Sequence, residues 1–390
     1  MAERDSLPFP VQNATVPFWR AQLHPLDKFR STEALPDKCD ILIIGAGYAG
    51  ISTAYHLVNS ISNSDTAPSI VLLEAREACS GATGRNGGHL RPSLPFPDLI
   101  EKHGLEACIE ITHLSAIQSL ISAHEIDCDF TLTRSHAIPT DPEVAVFVKD
   151  LVEKYASASP EIAEYSQLTF SEGAEESTGV KGVVGDWSGA VAHLWPYKLF
   201  LRLLQIAVDK RVNIQTNTPV LKSGERDGDG YWSFDTALGP IKAKKVAFAT
   251  NGYTAGILPE FKDIILPRRT CCSYITTATS RDGEEVKKVG NGQDSSYCIG
   301  PPARDFDYLI QRPDGSVVVG GGSALYRDVP GVAIGSWDDS TLIPQLGDYF
   351  EGYLGRWFER GGEGEKLEMV WSGSEFLSCV FVEKSEVEMG

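Results

Sequence analysis

Apolar residues along the chain gather in short clusters separated by glycine, proline and charged positions. The clearest order lies near the start. Residues 39–44 (CDILII) form a short apolar run suited to a strand buried on both faces. Residues 51–62 then place Ala54, Leu57, Val58 and Ile61 at helical spacing, and residues 69–74 (SIVLLE) read as a second strand ending in an acid. Together these predict a βαβ unit. Residues 1–36 hold Pro8, Pro10, Pro17, Pro25 and Pro36, which forbid a regular element, so an arm anchored by Phe18 and Trp19 is expected there. Further on, helices are predicted over 104–126, 143–156 and 196–211, the last with Pro196 in its first turn. A loop is predicted over 171–182, and short strands at 212–215, 220–223, 231–236 and 241–250, two of them joined by the hairpin turn Asp227-Gly-Asp-Gly230. Beyond Pro267 the pattern is strand-rich: residues 273–280 alternate, and 308–311 and 316–320 flank the turn Arg312-Pro-Asp-Gly315. A helix is predicted over 340–350.

Between the first strand and its helix stands Gly45-Ala-Gly47-Tyr-Ala-Gly50. In that setting Gly45 permits a tight turn, Gly47 lets backbone approach a pyrophosphate, and Gly50 lets helix pack on strand. The helix N-terminus offers free N–H groups and partial positive charge to phosphates. Glu74, closing the second strand, is placed to accept hydrogen bonds from a ribose diol, and an acid there disfavours a 2′-phosphate. The glycine- and hydroxyl-rich stretch after it, residues 75–89, can lay backbone N–H groups along a long charged cofactor, with Arg85 able to pair with a phosphate.

Composition narrows the class. A chain of 390 residues with 42% hydrophobic and 23% charged residues is an ordinary packed protein of two or three structural units. Lys+Arg is 35 and Asp+Glu 53, a net charge of −18, which disfavours nucleic acid and anionic lipid as partners. No apolar run reaches the ~20 residues needed to span a bilayer, and the first residues lack a secretory pattern, so a cytoplasmic location is expected. A peroxisomal address stays compatible if the natural C-terminus lies further on. The eight cysteines form no CxxC pair, so neither a metal site nor a disulfide framework is expected.

CDILIIGAGYAG, VLLEAREACSGATGRNGGH and VAFATNGYT, in that order, resemble the FAD-dependent oxidoreductases of the D-amino acid oxidase, glycine oxidase and sarcosine oxidase group. The GATGRNGGH form is similar to the γ-glutamylputrescine oxidase-like branch. The resemblance runs from about residue 37 to 373. It implies an α/β fold: a Rossmann-like FAD-binding domain of the glutathione-reductase type, and a second α+β substrate domain on a mixed or antiparallel sheet. By the same resemblance, Gly45, Gly47, Gly50, Glu74, Ala75 and Arg76 hold the adenosine diphosphate half. Ser80, Thr83, Arg85, Asn86 and Gly88 line the path to the flavin, and His89 and Arg91 approach its ring. Val220, Thr250 and Gly252 fall at backbone contacts to the cofactor, although a strand valine is more simply core. Tyr308 and Arg312 match a pair that holds a substrate carboxylate, which suits a bidentate guanidinium; the alternative is that Arg312 caps the hairpin turn in solvent. His89 has a packed-histidine alternative.

The implied activity is oxidation of the C–N bond of a small-molecule amine or amino acid to an imine, with O2 as acceptor. The expected domains are an arm (1–36), a discontinuous FAD-binding domain (37–97, 178–255 and 368–390) and a substrate domain (98–177 and 256–367). The segment after Gly373 departs from the family pattern, having no glycine loop and no long helix. A shortened, catalytically inactive family member is therefore one alternative reading, and an NAD-binding dehydrogenase is another.

Overall fold

The computed structural model describes residues 7–61, 67–92, 112–157, 166–170, 172–278, 288–292, 294–300 and 306–378. Fifteen strands make two sheets among these residues: β1 (Lys38–Ile44), β2 (Ile70–Leu73), β3 (His89–Leu90), β4 (Thr131–Ile138), β5 (Ser166–Phe170), β6 (Gly185–His193), β7 (Asn213–Gln215), β8 (Val220–Arg226), β9 (Trp232–Thr236), β10 (Gly239–Phe248), β11 (Ile265–Thr276), β12 (Ser295–Ile299), β13 (Asp307–Gln311), β14 (Val317–Gly320) and β15 (Lys366–Ser378).

The first sheet has six strands in the order β7-β2-β1-β10-β9-β8. β1 runs parallel to β2 and β10, and β2 parallel to β7, while β8, β9 and β10 form an antiparallel meander. Parallel strands require a crossover, and helix α1 (Tyr48–Ser60) provides it between β1 and β2. Leu42 and Ile43 on β1 are fully buried, as the unbroken apolar run predicts for a strand covered on both faces. α1 packs beside the helix Pro196–Asp209, whose Leu201 and Leu204 are also fully buried.

The second sheet has nine strands, β15-β11-β14-β13-β12-β4-β6-β3 with β5 on the edge of β6. It is mixed: β12 and β4 are parallel, and the other pairs are antiparallel. One core lies between this sheet and the first, joining Trp19, Leu204, Ile310 and Trp371. A second fills its opposite face, around Leu309, Val319 and Phe350. The arm behaves as expected, since Trp19 is fully buried, and Trp195 Nε1 donates to its carbonyl at 2.6 Å.

Several expectations need correction. β6 and β15 were assigned to the cofactor half, yet β6 pairs with β3, β4 and β5, and β15 pairs with β11 along nearly its whole length. Residues 172–178, read as loop, form a helix. The helix expected over 340–350 shrinks to Leu346–Phe350. β4, β5, β6 and β12 were not foreseen. β6 reads GDWSGAVAH, with polar groups where a buried strand should be apolar, and two of those positions, Asp186 and Ser188, are paired across the ladder. Asp186 Oδ2 meets His136 Nδ1 at 2.8 Å, and Arg134 donates to the Ser188 carbonyl at 2.8 Å. Residues 104–111 and 379–390 lie outside the described residues, so the start of one expected helix and the final segment are not placed. The six cysteines among the described residues are free and buried, no group of metal ligands occurs among them, and no described helix is long and apolar enough to cross a membrane.

Candidate functional site

The chain leaves the end of β1 through a corner set by Gly45, whose φ is +106° and whose absent Cβ would sit 2.4 Å from the Ala249 carbonyl. Gly50 lies one turn into α1, and a Cβ there would come within 1.8 Å of the Gly45 carbonyl oxygen. Together these glycines bring the N-terminus of α1 against the strand ends. The first-turn N–H groups of a helix have no intrahelical partner. That of Tyr48 donates to Thr83 Oγ1 at 2.8 Å.

Glu74 closes on this corner from β2. Its Oε2 accepts from the Ala46 N–H at 2.8 Å and its Oε1 from the Arg76 N–H at 2.9 Å. Burial raises the pKa of Glu74, opposed by those two N–H groups. Each oxygen retains a second lone pair for a ligand hydroxyl.

A cavity of about 330 Å³ opens at this point, lined by Gly45, Gly47, Glu74, Ala75, Arg76, Thr83, Val220 and Thr250 among others. A second cavity of about 340 Å³ is lined by Arg85, Asn86, Arg268, Tyr308, Tyr326 and Glu375 among others, and Ala82 borders both. The donor set suits FAD: a helix N-terminus for a pyrophosphate, a carboxylate for a ribose, and two adjoining spaces for the two ends of one long molecule.

Gly50, Ser80, Gly88, His89, Gly252 and Arg312 border neither cavity. Gly50 still serves the packing role read from its position. Gly252 is held against the second sheet, where a Cβ would come 2.9 Å from the Glu375 carbonyl. Gly88, at φ +72°, packs against the Leu194 carbonyl and the Trp19 ring. Ser80 is buried with its hydroxyl unpartnered, and its carbonyl accepts from Arg85 Nε at 2.7 Å.

The arginines depart most from expectation. Arg85 was expected to pair with a phosphate; instead its Nε lies 3.3 Å from Asp339, and its Nη1 donates to the Ser372 carbonyl at 2.8 Å. Arg76 forms a two-pronged pair with the same Asp339, both contacts at 2.9 Å. Asp339 is fully buried; burial works to lower the pKa of Arg76, but the hydrogen-bonded Asp339 carboxylate more than offsets it and the net shift is upward, while burial lowers that of Arg85 to about 10.

The expected Tyr308–Arg312 clamp does not assemble. Both residues share one face of β13 and its extension, but four residues of strand place them about 13 Å apart. Tyr308 borders the second cavity, its hydroxyl 3.4 Å from Cys272 Sγ. Arg312 is neither in the cavity nor in solvent. Its Nη2 meets Asp129 Oδ2 at 2.8 Å, and its guanidinium lies over the rings of Phe18, Trp19 and Trp195. Arg312→Met should therefore loosen the arm, at a cost of about 2 kcal/mol for a partly buried pair with its stacking. Limited proteolysis near residues 18–20 checks this: faster cleavage is expected, and unchanged cleavage would count against the docking role.

His89 accepts or donates a hydrogen bond with Ser296 Oγ at 2.8 Å, and burial near Arg91 pushes its pKa well below the ordinary value. It is a neutral, packed histidine on β3 rather than a group facing either cavity. Arg91 sits over the rings of Trp187 and Phe306. Sequence reasoning missed Arg268, Tyr326, Glu375 and Asp339. Nothing local marks them, because each meets the glycine loop only through pairing of distant strands and loops.

Three comparisons with known proteins extend this picture. A family model described as FAD dependent oxidoreductase matches residues 40–380. Gamma-glutamylputrescine oxidoreductase of Escherichia coli is 25% identical over 363 residues, which are 87% of this chain and 74% of that protein. A probable oxidoreductase OrdL of Rhizobium meliloti is 24% identical, covering 75% of this chain and 66% of its own length. Among solved structures, glycine oxidase from Geobacillus kaustophilus superposes with a TM-score of 0.67 at 14% identity, over 88% of this chain and 84% of that one.

Proposed function

The chain belongs to the family of FAD-dependent oxidoreductases, and from that membership we propose that it oxidises the C–N bond of a small amine or amino acid to an imine. The observation that carries this reading is the meeting of glycine corner and Glu74 carboxylate at one cavity that adjoins a second, polar one. When bound, FAD would supply the electron-accepting chemistry, an acceptor for the hydride equivalent lost from the C–H beside the substrate nitrogen and a donor to O2.

The protein's share is binding, orientation and exclusion of water. The α1 N-terminus and the backbone of residues 45–47 would face the pyrophosphate, and Glu74 would accept from the adenosine ribose. Ala75, Val220 and Thr250 would wall the adenine end, and Thr83 would hold the entry to α1. Asn86 and Tyr308 would border the reacting end. We assign cofactor binding chiefly to the six-stranded sheet and substrate binding to the nine-stranded sheet, with β6 and β15 moved to the latter. The buried free thiols support a reducing compartment such as the cytoplasm.

Purified protein should be yellow. Anaerobic addition of members of a panel of amines and amino acids should bleach the visible flavin band, and admitting air should restore it with release of peroxide. A band that bleaches but recovers only with a dye acceptor would rule out O2, and a band that no amine bleaches would overturn the substrate class. Glu74→Ala should weaken FAD binding by about 1.5–3 kcal/mol, roughly ten- to hundredfold, through loss of a charge-assisted hydrogen bond. Fluorescence titration of the apoprotein with FAD reads this directly, and unchanged affinity would remove Glu74 from the site.

A further inference from the structure

The second cavity holds a charge pair that its surroundings leave incomplete. Arg268 on β11 and Glu375 on β15 stand directly opposite each other in the antiparallel ladder, and both border the cavity. Their Nη1 and Oε1 atoms are 3.9 Å apart, beyond hydrogen-bond distance, and the side chains are 34% and 49% accessible. Neither has another charged partner among the described residues, whereas the guanidinium groups of Arg76, Arg85 and Arg312 each hold a carboxylate. An accessible pair at that separation contributes little to folding. Partial burial raises the pKa of Glu375, and Arg268 beside it opposes the shift.

We propose that Arg268 and Glu375 dock the substrate's head group, Arg268 taking a carboxylate and Glu375 an ammonium, so that the second cavity suits a zwitterionic amino acid better than a plain amine. This rests on the amine or amino acid oxidation proposed above and adds the residues that select among its substrates. A simple amine entering the gap would meet Glu375 but would be repelled by Arg268, and a simple carboxylate would meet the reverse. A ligand carrying both charges on neighbouring atoms satisfies both, with each contact shortening to about 2.7–2.9 Å. Arg312, engaged with Asp129 and the arm, is not available for this work.

Three probes of similar bulk lack an oxidisable α-hydrogen: 2-aminoisobutyrate, tert-butylamine and pivalate. Calorimetric titration should show purified protein binding 2-aminoisobutyrate at least about tenfold more tightly than the other two. Arg268→Met should weaken 2-aminoisobutyrate about tenfold and strengthen tert-butylamine, and Glu375→Gln should weaken it similarly and strengthen pivalate. The charge-swapped double variant Arg268→Glu/Glu375→Arg should bind 2-aminoisobutyrate better than either single variant. Equal affinity for the three probes, no binding of any, or variants that leave the ranking unchanged would overturn the assignment. Calorimetry reads binding with or without flavin. Absence of a flavin band therefore defeats the cofactor reading alone, and loss of the probe ranking defeats this one alone.

Discussion

Gly50→Ala should destabilise the protein by about 3 kcal/mol or more and should abolish stable retention of FAD. The added methyl would lie 1.8 Å from the Gly45 carbonyl oxygen, which is backbone and cannot rotate aside. Relief requires α1 to withdraw by more than an ångström from the ends of β1 and β10. That withdrawal opens the packing of α1 against the helix Pro196–Asp209, and it breaks the contact through which the Ala46 N–H reaches Glu74. Stability and cofactor binding therefore fall together. Gly47→Ala is the internal control, because its Cβ would lie 3.1 Å from Thr83 Oγ1, a side-chain atom that need give by only a few tenths of an ångström. Its unfolding free energy from urea titration should change by about 1 kcal/mol or less, while FAD retained through gel filtration should fall, since Gly47 borders the cavity. Equal unfolding midpoints for the two variants would contradict the tight corner.

The same contrast shows what the sequence made legible. The βαβ unit could be read because its information is local: apolar run, glycine spacing, helical periodicity and terminal acid all fall between residues 39 and 74. Structure then placed Glu74 within hydrogen-bond distance of that corner. The second sheet was less legible, because β4 and β6 bury polar residues that pair across the ladder, and a pattern reading counts those positions as surface. The arginines failed for a related reason. A guanidinium in a glycine-rich loop invites a phosphate, but Arg85 and Arg76 are matched by Asp339, a residue whose proximity depends on the whole chain being folded. Spacing of four residues suggested a Tyr308–Arg312 clamp, while the strand rise separates the two and leaves Arg312 to the aromatic arm. Arg268 and Glu375 were invisible because cross-strand register alone makes them neighbours.

Asp339→Ala is the second large effect expected, a loss of about 3–5 kcal/mol. Its carboxylate is fully buried and is the common partner of two guanidinium groups, Arg76 at 2.9 Å and Arg85 at 3.3 Å. Those arginines flank the loop that runs between the two cavities, and Arg85 also ties that loop to Thr15 of the arm and to the Ser372 carbonyl on β15. Removing one partner of a buried pair costs far more than removing both, because it leaves a desolvated charge unmatched. Here two charges would be left, and the outward relaxation that rehydrates them must carry residues 76–85 away from the cavity walls. The double variant Asp339→Ala/Arg76→Met should therefore recover part of the loss, since it restores neutrality at Arg76 and keeps its apolar stem. If the network were merely a surface convenience, the single variant would cost under about 1 kcal/mol and the second substitution would add to the damage. Urea unfolding of the wild type, both single variants and the double variant separates these outcomes. Positive recovery in that cycle identifies Asp339 as the counter-charge that lets two arginines be buried beside the cofactor loop, and additive losses would show that the three side chains are not one electrostatic unit.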